Sequence, residues 1–282
     1  MKIGFTYDLK TDWEFKGDEP RDINAELDKP ETVDNVAAAL EKAGHEVIRI
    51  GHIDNLLKQL DSLDVDIVFN MCEGKTGRNR ESQVPVLLEM KDVPFVGADA
   101  LTLGLTLDKV VAKQVFLGEG IPTAEFFSTD NPDDAETLNT IGYPLIVKTR
   151  HEGSSKGITE ESKVNNLEEL KKRIRFVVEN YNQPALVEKF ISGQEFTIAV
   201  LGNGEEAQAM PVVQTSINGQ KDFEDKVYTN RNIYDGSVKY LCPAPVSAEL
   251  TKTLQNLAVQ VFRAVDCRDL ARVDFRVDKK GR

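Results

Sequence analysis

A lysine followed by a short run of glycine and serine could hold the phosphates of a nucleotide. Lys148 ends an apolar run of strand formers at 145–147, and the loop 153–157 follows with the sequence GSSKG. Glycine lets an anion approach the backbone closely, and serine hydroxyls can donate hydrogen bonds to it. The loop matches neither the Walker A pattern nor the Rossmann fingerprint. The residues alone leave two interpretations open, a phosphate grip and a surface β-hairpin with a small-residue loop.

Three other polar stretches hold residues with chemical potential. Residues 70–81 follow a predicted strand and include Glu73, in the position where α/β sheets place ligands, although a solvated charged turn has the same composition. Residues 216–238 form a long polar loop, and loops of this length usually carry function or are disordered. Arg272 and Asp274 are two apart in a predicted strand, so both side chains lie on one face of it.

The elements that must position these residues alternate at first between strand and helix. Hydrophobic periodicity predicts, in order, a strand at 2–7, a helix at 30–44, a strand at 46–50, a helix at 54–60 and a strand at 66–70. This βαβαβ order implies a parallel sheet. The fold class is therefore α/β.

The rest of the chain mixes helices and strands less regularly. The patterns predict helices at 106–118, 167–180 and about 248–265, a hairpin of the strands 185–190 and 196–201, and a strand at 270–277. We expect three domains, at 1–98, 99–184 and 185–282.

Composition excludes several classes of function. The chain has 282 residues, 40% of them hydrophobic, and a formal net charge of −12, which argues against nucleic acid and anionic membranes as partners. Its three cysteines are widely spaced and suggest neither disulfides nor a zinc site. We find no signal-peptide pattern and no apolar run that could span a membrane, so a cytoplasmic location is expected.

Four motifs in order give a resemblance to a known family. They are Lys148, the Glu-Gly-Ser-Ser at 152–155, the stretch VEKFISGQEFT at 187–197, and Ala-Arg-Val-Asp at 271–274. Together they resemble the ATP-grasp ligases, and most of all the D-alanine–D-alanine ligases. The resemblance implies an α+β ATP-grasp fold, in which a parallel N-terminal βαβ domain precedes two α+β subdomains that clasp ATP.

The resemblance also implies an ATP site. The implied phosphate ligands are Lys109, Lys148, Ser154 and Ser155, and the implied adenine and ribose ligands are Glu188, Lys189, Phe190, Ile191 and Glu195. The segment 188–191 would hold adenine through backbone groups, and Glu195 would receive the ribose hydroxyls.

The same resemblance implies catalytic roles. Lys226 matches the lysine over the γ-phosphate, Arg272 matches the arginine that stabilises the oxyanion, and Ser154 lies in the phosphate-covering loop. Asp274 matches a carboxylate that binds Mg²⁺ or Mn²⁺. The implied reaction proceeds through an acyl phosphate and joins two D-alanines for peptidoglycan precursors.

The chain departs from the family pattern on the side of the first amino acid. The family's Ser-x-Glu is missing after the first strand, where Glu31 could substitute, and the family's His-Gly is replaced by residues 70–74, which include Glu73. The tyrosine expected directly after the lysine at 226 is Val227, with Tyr228 one place later. These changes leave open a ligase for a different amino acid or peptide.

The end of the sequence is a further departure. It stops at Arg282, before the Glu-x-Asn that completes the family's two-metal site. We expect a piece of a longer protein, and the alternative is a nucleotide-binding chain without ligase activity. The resemblance suggests a homodimer that forms through the first domain.

Overall fold

The structure is a computed structural model that describes residues 1–74, 76–229, 232 and 235–282. Four positions of the long polar loop, 230–231 and 233–234, lie outside the described residues. Contacts divide the chain into two compact units, Met1–Leu107 and Asp108–Arg282, called unit 1 and unit 2 below. The division into three domains remains a prediction.

Unit 1 contains a four-stranded sheet in the order β2-β1-β3-β4, with every pairing parallel. Its elements are β1 (Lys2–Tyr7), α1 (Pro30–Lys42), β2 (Glu46–Gly51), α2 (Ile53–Gln59), β3 (Ile67–Met71), α3 (Gln83–Met90), β4 (Phe95–Val96) and α4 (Ala100–Leu107). The predicted parallel sheet is confirmed. Phe5 packs with α1 on one side, while Val68 packs with α2 and α3 in a separate cluster. The loops after β1 and β3 begin at the same edge of the sheet.

One predicted helix is wrong. The helix expected at 106–118 is two helices, α4 and α5 (Lys109–Gly118), separated at Asp108. The Asp108 backbone is extended, and its carboxylate accepts hydrogen bonds from the backbone N–H groups of Val110 and Val111 at 3.1 and 3.3 Å. An aspartate in this position starts a helix, so the apolar pattern on both sides of it does not continue as one element.

The first sheet of unit 2 is antiparallel and has the strand order β5-β8-β6-β7. Its strands are β5 (Phe126–Thr129), β6 (Leu145–Thr149), β7 (Lys163–Val164) and β8 (Ala185–Lys189), and its helices are α6 (Ala135–Leu138) and α7 (Leu167–Tyr181). Leu170, Ile174 and Val177 of α7 are fully buried in one cluster with Leu145 and Val147 of β6. Amphipathic periodicity therefore seats α7 on this sheet.

The second sheet of unit 2 has β9 (Gly193–Leu201) at its centre. The full length of β13 (Leu270–Asp278) pairs with one edge of β9, and β10 (Gln208–Ala209) and β11 (Val213–Ile217) pair with the other. On the far side of β11 lies β12 (Val238–Leu241), and α8 (Ala248–Ala264) packs against one face of the sheet.

The predicted hairpin of 185–190 with 196–201 is wrong, because β8 and β9 belong to different sheets. Gly193, the first residue of β9, has φ +153°, and a Cβ there would lie 2.0 Å from the Val277 carbonyl oxygen. Only glycine permits this close approach of the paired strands β9 and β13.

Candidate active site

One face of the second sheet is charged and the other is apolar. Along β13 the side chains of Arg272, Asp274 and Arg276 alternate with residues that pack against α8. The register pairs these three residues with Ala199, Thr197 and Glu195 of β9. Directly paired residues lie on the same face, so the strand alternation gathers these charged side chains on one surface.

Arg272 and Asp274 form a bidentate ion pair on this surface. Arg272 Nε and Nη2 lie 3.1 Å from Asp274 Oδ1 and Oδ2, and the Thr197 hydroxyl donates to Asp274 Oδ1 at 2.6 Å. The side chains of Arg272 and Asp274 are 70% and 62% exposed. A guanidinium and a carboxylate are thus held in fixed orientation while both remain accessible to a ligand.

Glu195 lies two residues before Thr197 on β9, on the same face, and forms an ion pair with Arg276. Burial raises the pKa of the Glu195 carboxyl, although Arg276 and Lys148 oppose the increase. This influence of Lys148 shows that the first sheet of unit 2 contributes its lysine to the same region. Two predicted nucleotide residues are therefore brought together.

Lys148 belongs to a buried network centred on Glu188. Lys148 Nζ lies 2.5 Å from Glu188 Oε2, and Lys113 Nζ lies 2.6 Å from Glu188 Oε1. Lys113 also donates to the Thr123 hydroxyl at 2.7 Å. Burial alone would raise the pKa of Glu188, but the two lysines outweigh burial and lower it to about 2. Glu188 is therefore a permanent anion that orients two ammonium groups.

The predicted phosphate loop adopts strained backbone conformations. Ser154 and Ser155 have φ +46° and +54°, in the left-handed region that side chains other than glycine rarely occupy. Gly157 also has positive φ, and a Cβ there would lie 2.7 Å from Thr149 Cγ2. Lys109 Nζ donates to the Glu152 carbonyl at the start of this loop. Strain of this kind is characteristic of ligand-binding segments.

The segment 188–191 connects the two sheets. The Phe190 N–H donates to the Pro144 carbonyl at 3.1 Å, and Lys189 Nζ donates to the Gly142 and Tyr143 carbonyls at 3.1 and 2.9 Å. The Ile191 carbonyl accepts from Arg276 Nε at 2.9 Å. The course of this segment is thus fixed by the residues just before β6 and by Arg276 of β13.

Lys226 and Tyr228 lie in the described part of the long polar loop. The Lys226 side chain is exposed and donates to Gln220 Oε1 at 2.6 Å. Burial and a hydrogen-bonded neighbour, Tyr240, raise the pKa of the Tyr228 phenol, which also senses the charges of Glu195 and Arg272. The Tyr228 side chain therefore lies beside Tyr240 of β12, whereas the Lys226 ammonium contacts its own loop.

The predicted first-substrate residues lie in unit 1. Glu31 is exposed in the first turn of α1. Glu73 lies with Glu26 and Glu81, with one carboxylate oxygen of each within 4.8 Å of the others, and Arg80 Nη2 is 2.7 Å from Glu26 Oε1. Burial, Glu81 and Glu26 raise the pKa of Glu73 to about 8. The loop carrying Glu73 is fixed at its start by Asp8 at the end of β1, whose Oδ2 accepts from the backbone N–H groups of Glu73 and Gly74 at 3.0 and 2.8 Å.

Sequence reasoning missed several residues of these networks. The sequence predicts no role for Lys113, Arg276 or Tyr240. Arg276 follows Asp274 by two positions, so strand alternation already places it on the charged face. No local signal marks Lys113 as buried, because its partner Glu188 is distant in sequence.

Unit 1 holds a parallel sheet, and unit 2 holds two antiparallel sheets. In unit 2, charged residues lie on the second sheet and near the ends of strands in the first sheet. This arrangement defines the ATP-grasp fold. Comparison with solved structures agrees. A D-alanine–D-alanine ligase from Bacillus anthracis aligns with a TM-score of 0.74 over 99% of this chain and 83% of that one, at 22% identity. The VanG D-Ala:D-Ser ligase from Enterococcus faecalis aligns with a TM-score of 0.70, 99% and 87% coverage, and 22% identity. At such identities the likeness shows the fold.

Sequence comparison supplies the family. The family model for the D-ala D-ala ligase C-terminus matches residues 116–282. A D-alanine–D-alanine ligase of Janthinobacterium sp. (strain Marseille) is 35% identical over 248 residues, covering 86% of this chain and 74% of that protein. An uncharacterized protein, y4sG of Sinorhizobium fredii, is 35% identical over 262 residues, with 88% and 74% coverage. The chain belongs to the D-alanine–D-alanine ligase family.

In the part of the chain that the structure describes, no helix is long and apolar enough to cross a membrane.

Proposed function

We propose that this protein is an ATP-dependent carboxylate–amine ligase that joins two D-alanines for peptidoglycan precursor synthesis. The observation that carries the proposal is the charged face of the second sheet, where Arg272 and Asp274 lie beside Glu195 on adjacent strands. Family membership and the names of the relatives support the same reaction. The substrates are small amino acids, and we propose a cytoplasmic homodimer.

The nucleotide lies between the two sheets of unit 2 in this proposal. The ammonium groups of Lys148 and Lys109 and the loop with Ser154 and Ser155 contact the phosphates. Because Glu188 remains ionised beside Lys148, it holds that ammonium group in place. Glu195 receives the ribose hydroxyls, and the backbone of 188–191 holds adenine.

The reaction has two steps in this proposal. A carboxylate oxygen of the first amino acid attacks the γ-phosphorus of ATP, and the bond from that phosphorus to the ADP oxygen breaks. The amine nitrogen of the second amino acid then attacks the acyl carbon, and the bond from that carbon to the phosphate oxygen breaks. Inorganic phosphate leaves with the electron pair of that bond and takes up the proton that the amine loses. Arg272 stabilises the oxyanion on the acyl group, and Lys226 neutralises the transferred phosphate.

Asp274 suits a role as a metal ligand. It is an accessible carboxylate on the charged face, and Mg²⁺ commonly takes one or two carboxylates together with substrate phosphates. We propose that Asp274 supplies one ligand to Mg²⁺, which would neutralise phosphate charge. The bidentate contact with Arg272 fixes the orientation of that carboxylate.

The test measures ADP release with Mg²⁺ and a panel of D- and L-amino acids, using the product of the complete gene. We expect release that depends on D-alanine, with D-alanyl-D-alanine identified by mass spectrometry. Arg272→Met should lower kcat by about a hundredfold, the loss seen when an oxyanion donor is removed. The matched control Arg263→Met, on the exposed face of α8, should retain full activity.

A second candidate is the same ligation with a different amino acid. It is favoured by unit 1, where the acidic group around Glu73 includes Glu26, Glu81 and Arg80, while Glu31 lies exposed on α1. ADP release with an amino acid other than D-alanine would select this candidate. ATP binding without release under any condition would contradict both and leave a nucleotide-binding protein.

A further inference from the structure

All three nitrogens of the Arg276 guanidinium are engaged by different segments of unit 2. Nε donates to the Ile191 carbonyl at 2.9 Å, Nη1 pairs with Glu195, and Nη2 donates to the Lys226 carbonyl at 3.3 Å. The side chain is 18% exposed. Arg276 therefore joins the strand β9 and the connection 190–192 to the polar loop.

Two aromatic rings also lie close to this guanidinium. Its central carbon lies 5.6 Å from the centroid of the Phe190 ring and 5.3 Å from that of Phe223. Phe223 belongs to the polar loop, yet it is only 1% exposed. A cation held against aromatic rings away from water gains more than an exposed one. Phe223 and Arg276 thus form a buried contact between the loop and the sheet.

We name residues 220–228 the Lys226 segment. Its other contacts with the sheets include a hydrogen bond from the Phe223 N–H to the Gly193 carbonyl at 3.0 Å, a single bridge between Asp222 and Gln194, and an ion pair of Lys163 with Asp225 at 3.0 Å. At its two ends, Gln220 pairs with Ile217 of β11 and Tyr228 is hydrogen-bonded to Tyr240 of β12. Asp225 is 78% exposed in that pair, and exposed ion pairs contribute little. The described contacts therefore give Arg276 a central share in holding this segment.

We propose that Arg276 is a positioning residue that fastens the Lys226 segment to the nucleotide-binding face and thereby orients both Lys226 and Glu195. This inference rests on the proposed function and deepens it. Arginine suits the task because its planar fork presents several donors in fixed directions, whereas a lysine ammonium cannot reach three separated acceptors in the same way. Arg276 would then support both the nucleotide site and the loop, because it contacts Glu195, the proposed ribose ligand, as well as the Lys226 segment.

The direct test is cleavage by chymotrypsin after Phe223, followed by mass spectrometry without nucleotide or amino acids. Cleavage there requires the buried ring to leave its site, so its rate reports the opening of the segment. The hydrogen bonds from the charged guanidinium stabilise the closed segment more than neutral ones would. Arg276→Met should therefore accelerate this cleavage at least about tenfold, while Arg263→Met, the same change on an exposed helix, should cleave like wild type.

A second variant distinguishes positioning from simple charge neutralisation. Arg276→Lys keeps a positive charge beside Glu195, and we still expect cleavage several times faster than wild type, because the Ile191 and Lys226 carbonyls lose their donors. Wild-type resistance of Arg276→Lys would overturn the proposal in favour of charge alone. Wild-type resistance of Arg276→Met would overturn it entirely. If the Met variant fails to fold, as seen in its thermal melt, the Lys variant decides.

The kinetics supply a readout that a merely structural role would not change. In the active enzyme, Arg276→Met should raise KM for ATP several-fold and lower kcat, with KM for the amino acids unchanged. Equal effects on all substrates would contradict a positioning role at the nucleotide. The cleavage assay contains no substrate, so a failure of the ligase proposal would not alter it.

Discussion

Two glutamates, a buried one in unit 2 and a half-buried one in unit 1, have opposite titration behaviour. Glu188 in unit 2 lies between Lys113 and Lys148, and its pKa falls to about 2 although burial opposes this. Glu73 in unit 1 is raised to about 8 by burial and by the carboxylates of Glu81 and Glu26, with Arg80 opposing. Burial acts to raise the pKa of both carboxyls, so the sign of the difference comes from their neighbours.

The comparison explains why unit 2 suits an anionic ligand. The charge of Glu188 is balanced by two ammonium groups, and further cations, Arg272 and Arg276, lie on the adjacent sheet. A polyphosphate that approaches Lys148 therefore meets a surplus of positive charge held in place by a fixed anion. In unit 1 the corresponding carboxyl stores a proton at neutral pH instead of a charge.

The strongest test of this comparison removes one cation from Glu188. Lys113→Met should destabilise the protein by about 3 kcal/mol, because it leaves a buried carboxylate with one partner fewer. Chemical denaturation followed by circular dichroism measures the loss. Lys171→Met is the control, since Lys171 pairs with the exposed Asp133 and should cost less than about 1 kcal/mol. Equal effects of the two variants would mean that Lys148 alone satisfies Glu188.

A second test removes the other lysine of the same network. Lys148→Met should weaken ATP binding at least tenfold, or about 1.4 kcal/mol, because the phosphates lose a positioned ammonium. Isothermal titration calorimetry with a non-hydrolysable ATP analogue measures the affinity. Lys171→Met again serves as the control and should bind the analogue like wild type. Unchanged affinity of Lys148→Met would remove this residue from the phosphate site.

Much of the fold follows from patterns that act locally. The strand β1 and the helices α1 and α7 match their predictions closely, because each has an apolar face of clear period and recognisable ends. The break at Asp108 was missed because apolar residues continue on both sides of it, and only the capping contacts reveal a new helix. The chain passes from the first to the second sheet of unit 2 after β8. This was missed because apolar and polar residues alternate in the same way in a hairpin and in strands of two different sheets.

The candidate site shows a similar limit. Motif resemblance selected Lys148, Glu188, Glu195 and Arg272, and these do lie in one unit on two adjoining sheets. Lys113 and Arg276 escaped because the family motif does not mark them and their partners are 75 and 81 residues away in sequence. Residues that support a site through contacts distant in sequence can be recognised only once the fold is known.

The smallest expected effect concerns Glu73. Its folded pKa is raised above the value of 4.5 expected for an unperturbed chain, so folding favours the protonated form. The resulting stability is fully present below about pH 4.5 and is lost as the pH rises through about 8. Glutamine resembles the protonated carboxyl, so Glu73→Gln should remove this loss.

The single tryptophan, Trp13, lies in unit 1 and allows that unit to be followed by fluorescence in the whole protein. Melting temperatures of wild type should fall between pH 5 and pH 9 more steeply than those of Glu73→Gln. At pH 9 the variant should melt at least roughly 4 °C higher, the shift that about 1 kcal/mol produces in a domain of this size. Glu41→Gln, at an exposed position on α1, should keep the wild-type slope. Parallel pH profiles for wild type and Glu73→Gln would mean that Glu73 is ionised in the folded protein, and the contrast with Glu188 would then be lost.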